Sequence, residues 1–198
     1  MLKVLDAGVL RSAILSGDPY DHLLVENAIQ VHTRSGLARD LPDITRTGSF
    51  PVKGLACGAE FQRLIVDLRG TEFRKIVESK FGLDLASCES VTTVRGWCGA
   101  GDGRIHTDVA RKVVTVLIYL NPEWSHVTGR LRLLRSPDLN DYAVEIEPSM
   151  GSLVIFRRSE HSWHGHTRHD GRRVSVQHNF LAPRAHRLRS RLAALIRA

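Results

Sequence analysis

Leu2, Leu5, Val9, Ala13 and Ile14 recur at helical intervals, which predicts an amphipathic helix over residues 1–16 that stops near Gly17. Asp18-Pro19 is a turn signal, residues 22–29 read as a short apolar strand, and residues 30–41 as a further helix closed by Pro42. Residues 42–58 are rich in Gly, Pro, Ser and Thr and read as a long loop, a candidate cover for a site. Two helices follow over residues 60–68 and 71–81, separated by Gly70, with Gly82 as the C-cap of the second. Their apolar faces (Phe61, Leu64, Leu68; Phe73, Ile76, Val77) suit one side of a sheet.

From Ser87 the pattern changes to short strands with turn punctuation, at 90–97, 112–120, 130–134, 142–147, 152–156 and 173–181. Residues 112–120 are nearly all β-branched or aliphatic, which suits a central strand buried on both faces. Asn121-Pro122 ends it. Strands at about ten-residue spacing argue for a sandwich or jelly roll rather than a parallel sheet. The chain thus reads as one domain, mainly β with flanking helices. Residues 1–86 form a mostly helical support with a long loop, 87–182 a jelly-roll core, and 183–198 a basic C-terminal helix.

Composition changes this picture little. At 198 residues the chain can bury a sizeable core, and its three widely spaced cysteines form no Cys-x-x-Cys and no disulfide framework. That usage suits a reducing compartment, and with no secretory signal in residues 1–17 and no membrane-length apolar run, a cytoplasmic protein is expected. The net charge of +7 owes much to Arg184, Arg187, Arg189, Arg191 and Arg197, a run that suits either a solvated helix face or contact with nucleic acid.

The chemistry converges on His106-Thr107-Asp108, between a glycine-rich run at 96–103 and the strand at 112–120. Side chains at i and i+2 of extended backbone share one side, so an imidazole and a carboxylate placed this way can hold adjacent positions on one divalent metal. A third ligand is offered by the segment 160–166, where His161, His164 and His166 are all candidates. His164 is favoured, because Gly165 after it permits close backbone approach. Two histidines and a carboxylate leave metal positions open, as in non-haem Fe(II) enzymes that bind a chelating cosubstrate and O2. A 2-oxo acid chelate needs a cation for its far carboxylate. Arg173 supplies a guanidinium fork after the Gly171 turn, and Ser175 at i+2 adds a hydroxyl.

The order His106-x-Asp108, Tyr119-Leu120-Asn121-Pro122, Gly129-Arg130-Leu131, Glu147-Pro148, His164-Gly165, Arg173-Val174-Ser175 resembles the 2-oxoglutarate- and Fe(II)-dependent oxygenases, most of all their prolyl 4-hydroxylase-like branch. The likeness spans residues 87–182. It implies a double-stranded β-helix (jelly roll) core buttressed by N-terminal helices. It implies iron held by His106, Asp108 and His164, and 2-oxoglutarate whose far carboxylate meets Arg173 and Tyr119. Trp97 falls near a position where such enzymes often carry a pocket-lining tyrosine. The implied activity is a dioxygenase that hydroxylates an unactivated C–H bond of an amino acid, peptide, protein or small metabolite. Oxidative decarboxylation of 2-oxoglutarate to succinate and CO2 accompanies it, with ascorbate as a candidate reductant. The competing readings are a non-catalytic metal-binding sensor or binding module, and a protein associated with nucleic acid through its basic tail.

Overall fold

A computed structural model describes residues 1–183. Helices α1 (Ala7–Ser12), α2 (Arg34–Arg39), α3 (Ala59–Arg69) and α4 (Thr71–Phe81) support nine strands: β1 (His22–Val25), β2 (Phe50–Pro51), β3 (Glu89–Cys98), β4 (Lys112–Tyr119), β5 (Leu131–Leu134), β6 (Tyr142–Ile146), β7 (Leu153–Arg157), β8 (His164–His166) and β9 (Gly171–Leu181). A six-stranded antiparallel sheet runs β1-β7-β4-β9-β3-β2, and a three-stranded one runs β6-β5-β8. A bridge between His106 and His164 continues the smaller sheet beyond β8. This is the expected double-stranded β-helix, with helices on one side.

Strand alternation sorts the side chains into two cores. Val114, Val116 and Ile118 of β4, with Val174, Val176 and Phe180 of β9, pack toward Phe61, Leu64, Phe73 and Val77 of the helices. The opposite face packs Tyr119, Val154 and Phe156 of the large sheet against Leu131, Leu133 and Ile146 of the small one. β4 is therefore buried on both faces, as its composition predicts. The polar residues Arg173, Ser175, Gln177 and Asn179 of β9 fall on the second face, so the space between the sheets is apolar at one end and polar at the other.

Helices α3 and α4 match their expected spans, and Gly82 (φ 61°) ends α4 in the left-handed conformation. The N-terminal region differs. Instead of a helix over 1–16 there is only α1, capped by Asp6, whose Oδ1 accepts from the Val9 amide at 3.0 Å. The residues before it are extended because the amides of Lys3, Val4 and Leu5 all donate to the buried Asp67 carboxylate, at 2.7–3.0 Å. The strand expected over 22–29 is only β1. The helix expected over 30–41 divides into a 3₁₀ turn (Val31–Thr33) and α2. Residues 42–58 are pinned rather than free, since β2 pairs with Val94 and Thr93 of β3 and Thr47 bridges to Trp97. The basic helix expected over 183–198 lies, apart from Pro183, outside the described residues.

Candidate metal centre

β3 and β4 flank the glycine-rich approach to His106, and the small sheet delivers its partner. The His106 and His164 backbones exchange two hydrogen bonds of 3.0 Å, which sets their rings 4.4 Å apart. That pairing demands a close approach: a Cβ on Gly165 would lie 2.9 Å from the Gly103 carbonyl oxygen. Each imidazole directs Nδ1 at the carbonyl two residues earlier, His106 to Arg104 at 2.8 Å and His164 to Ser162 at 3.0 Å. A neutral ring that donates from Nδ1 presents its Nε2 lone pair outward, as a metal ligand must. Phe156 backs the His164 ring at 4.8 Å.

Asp108 completes the group, and one ligand atom from each of the three residues lies within 4.8 Å of the others. Its carboxylate is fixed on both sides: Lys112 Nζ donates to Oδ1 at 2.5 Å and Thr115 Oγ1 to Oδ2 at 2.6 Å. Arg158 Nε holds the Asp108 carbonyl at 3.0 Å. Burial works to raise the Asp108 carboxyl. Lys112, His164 and the two hydrogen bonds outweigh it and hold the group below the usual carboxylate range. Burial pushes His164 down to about 4 despite the pull of Asp108, so its ring is neutral near pH 7. Two imidazoles and an ionised carboxylate fit a divalent iron ion as a 2-His-1-carboxylate face.

Beside the triad lies a cavity of about 340 Å³, bounded by His106, His164, Tyr119, Arg173, Ser175 and Leu131 among others. Arg173 is only 6% exposed. Its Nε donates to the Gly129 carbonyl at 2.8 Å, one NH2 group lies 3.3 Å from the Tyr119 hydroxyl, and the guanidinium rests 4.9 Å over the Tyr119 ring. Among the described residues no carboxylate lies within ion-pair distance of it. A buried, unpaired cation is costly, so this site calls for an anionic ligand. Asn121 frames the strand end by clamping Val174 through both its amide groups, with Oδ1 accepting at 2.8 Å and Nδ2 donating at 3.2 Å.

Trp97 is not among the residues that line the cavity. A bulge between Arg95 and Trp97 sets Trp97 opposite Arg172 rather than Arg173, so Arg95 and Cys98 take the inward positions. Gly96 permits the bulge, since a Cβ there would meet the Ile44 carbonyl oxygen at 2.4 Å. Of the two candidate covering segments, 96–103 contributes Gly101, Asp102 and Gly103 to the cavity and 42–58 contributes nothing. His161 is exposed and outside the site, whereas His166 shares the inward face of β8 with His164. Burial, then Arg173, pushes His166 down to about 4. Its ring packs against Gly103, where φ is +84° and a Cβ would lie 2.4 Å away. Thr115, Lys112, Arg95 and the Gly129 carbonyl escaped the sequence reading. For Thr115 the signal was a polar residue within the apolar run of β4; Arg95 lies on a strand with several polar residues and carried no such signal.

Residues 94–181 match the model of the 2OG-Fe(II) oxygenase superfamily. No curated protein matches the sequence. A Pseudomonas putida prolyl-4-hydroxylase is similar in fold, with a TM-score of 0.52 and 20% identity over 77% of this chain and 82% of the other. So is a Trichoplax adhaerens prolyl hydroxylase solved with a hypoxia inducible factor oxygen degradation domain peptide fragment. It has a TM-score of 0.53 and 17% identity over 81% and 83% of the two chains. The 2OG complex of a viral collagen prolyl hydroxylase from Paramecium Bursaria Chlorella virus-1 gives a TM-score of 0.50 and 12% identity, over 76% and 84%.

Proposed function

We propose that this chain, whose residues 94–181 match the model of the 2OG-Fe(II) oxygenase superfamily, is an Fe(II)- and 2-oxoglutarate-dependent hydroxylase of an amino-acid or peptide substrate. The observation that carries this reading is the buried Arg173, which meets no carboxylate among the described residues, beside the His106–Asp108–His164 group. A metal site alone would need no such cation.

His106, Asp108 and His164 would hold the iron through two Nε2 atoms and a carboxylate oxygen. When bound there, the metal supplies activation of O2 coupled to conversion of 2-oxoglutarate to succinate and CO2 and hydroxylation of a C–H bond. The chain's own residues do the positioning. Arg173 and the Tyr119 hydroxyl receive the far carboxylate, and Ser175, adjacent across the strands to Tyr119, adds a hydroxyl to the same end. The Gly129 carbonyl fixes the guanidinium plane through Nε. Neutral His164 and His166 add no charge of their own to the cavity wall, and the apolar Leu117 and Leu131 limit water there.

The prolyl hydroxylases of similar fold make proline and prolyl peptides the first substrates to try. The test is succinate formation by the full chain with Fe(II), 2-oxoglutarate and O2 across a panel of amino acids and prolyl peptides, with oxygen addition to each read by mass spectrometry. Fe(II)-dependent succinate formation coupled to an oxygenated product is expected. Tight binding of Fe(II) and 2-oxoglutarate without any succinate would contradict a hydroxylase and support a sensor.

A further inference from the structure

The cavity carries more positive charge than the cosubstrate answers, an inference that rests on the cofactor reading above. Arg95 of β3 stands opposite Ser175 of β9, which stands opposite Tyr119 of β4, so the three form one row across the inner face of the large sheet. All three line the cavity. Arg173 is answered by the far carboxylate of 2-oxoglutarate. Arg95 and Arg104 also line the cavity, and Asp102 is the one acidic residue among the described residues that lines it. Asp102 is already engaged: Oδ2 accepts from the Gly99 amide at 2.9 Å, and Oδ1 takes one NH1 of Arg95 at 3.2 Å. The Nε and NH2 groups of Arg95, and all of the exposed Arg104 guanidinium, have no hydrogen-bond partner among the described residues. Lys112 adds a further cation at Asp108. With Fe(II) and both 2-oxoglutarate carboxylates counted, the cavity stays net positive.

We propose that the primary substrate carries a carboxylate that Arg95 binds, with Arg104 beside it, and that these two arginines select acidic over neutral substrates. A guanidinium with Nε and NH2 free presents the fork that takes a carboxylate bidentately. The carboxylate could belong to a free amino acid or to an acidic side chain of a peptide, and matched probes separate the two.

The full chain loaded with Mn(II) and 2-oxoglutarate is titrated calorimetrically with two pairs. The first is L-proline and L-prolinamide; the second is acetyl-Ala-Pro-Asp-Ala-amide and acetyl-Ala-Pro-Asn-Ala-amide. In at least one pair the acid should bind about tenfold tighter, as a hydrogen-bonded charge pair implies, and the pair that shows it identifies the source. Arg95→Gln should bring that ratio within twofold, and Arg95→Lys should restore part of it. Asp102→Asn frees Arg95 from its competitor, so the acid preference should persist or widen. A purely structural Arg95–Asp102 pair predicts the opposite, equal loss in Arg95→Gln and Asp102→Asn. That outcome overturns the proposal, as does equal binding within both pairs, a preference that survives Arg95→Gln, or binding of none of the four probes. Failure to bind Mn(II) and 2-oxoglutarate at all overturns the cofactor reading and this inference together.

Discussion

Thr115 offers the sharpest probe of how the fold holds its candidate ligand. It is fully buried on β4, and its Oγ1 donates to Asp108 Oδ2 at 2.6 Å while lying 3.2 Å from the Asn179 side-chain oxygen. Thr115→Val keeps the β-branched shape and removes one hydroxyl. A hydrogen bond to a charged group contributes about 1.5–3 kcal/mol, and the loss of an outer partner of a metal ligand typically costs about 10–100-fold in metal affinity. Some of that loss falls on folding, because the carboxylate loses its donor with or without metal, while Lys112 still holds Oδ1. We therefore expect Mn(II) to bind about tenfold more weakly to Thr115→Val, with about 1–2 kcal/mol lost from the stability of the metal-free protein. Thr115→Ser retains the hydroxyl and should recover most of the affinity. Calorimetric Mn(II) titrations of the three proteins, beside urea unfolding of each, provide the assay. Affinity of Thr115→Val within twofold of the parent, or equal loss in Thr115→Ser, would refute the role of this hydrogen bond.

Arg173→Gln should weaken 2-oxoglutarate binding at least about thirtyfold, since a buried charge pair costs about 2–5 kcal/mol to truncate, and should leave Mn(II) affinity unchanged; loss of both together would argue for misfolding. Asp67→Ala strands three backbone amides and should cost about 3–5 kcal/mol by urea unfolding, in line with breaking a buried charged network; a loss below about 1 kcal/mol would show that residues 3–5 are held by packing alone. Burial, then Arg69, holds His178 down to about 4, against an ordinary value of 6.5. Its stabilising effect is full above pH 6.5 and declines as pH falls toward 4, by about 3 kcal/mol in total. Unfolding free energies at pH 7.5 and 4.5 should thus differ less in His178→Leu than in the parent, and an unchanged difference would contradict the account.

Most of the large sheet was legible because β4 is a continuous apolar run and β9 alternates regularly, and α3 and α4 because Gly70 and Gly82 bound two amphipathic stretches. The elements that escaped depend on partners far away in the chain. Residues 1–5 carry a helical apolar pattern, yet Asp67 captures their amides, and nothing local announces it. β2 and β8 are too short to have a period. The choice of His164 over His166 cannot come from alternation, because both face inward. The antiparallel bridge to His106 is what sets His164, rather than His166, beside His106 and Asp108. Trp97 went astray for the same physical reason in reverse: the bulge at Gly96 shifts the strand by one residue and exchanges its faces. Arg173 stood out in the sequence by its place after a turn and at the start of a strand, whereas Thr115 and Arg95 become meaningful only once Asp108 and Asp102 are seen beside them.

The most direct measurement is anaerobic addition of Fe(II) and then 2-oxoglutarate to the full chain, followed by visible absorption. His106, Asp108, His164 and Arg173 acting as one site predict a charge-transfer band from the chelate. They also predict that His106→Ala abolishes the band and that Arg173→Gln shifts its onset to much higher 2-oxoglutarate. Absence of the band in the parent protein, or its persistence unchanged in His106→Ala, would contradict the assignment.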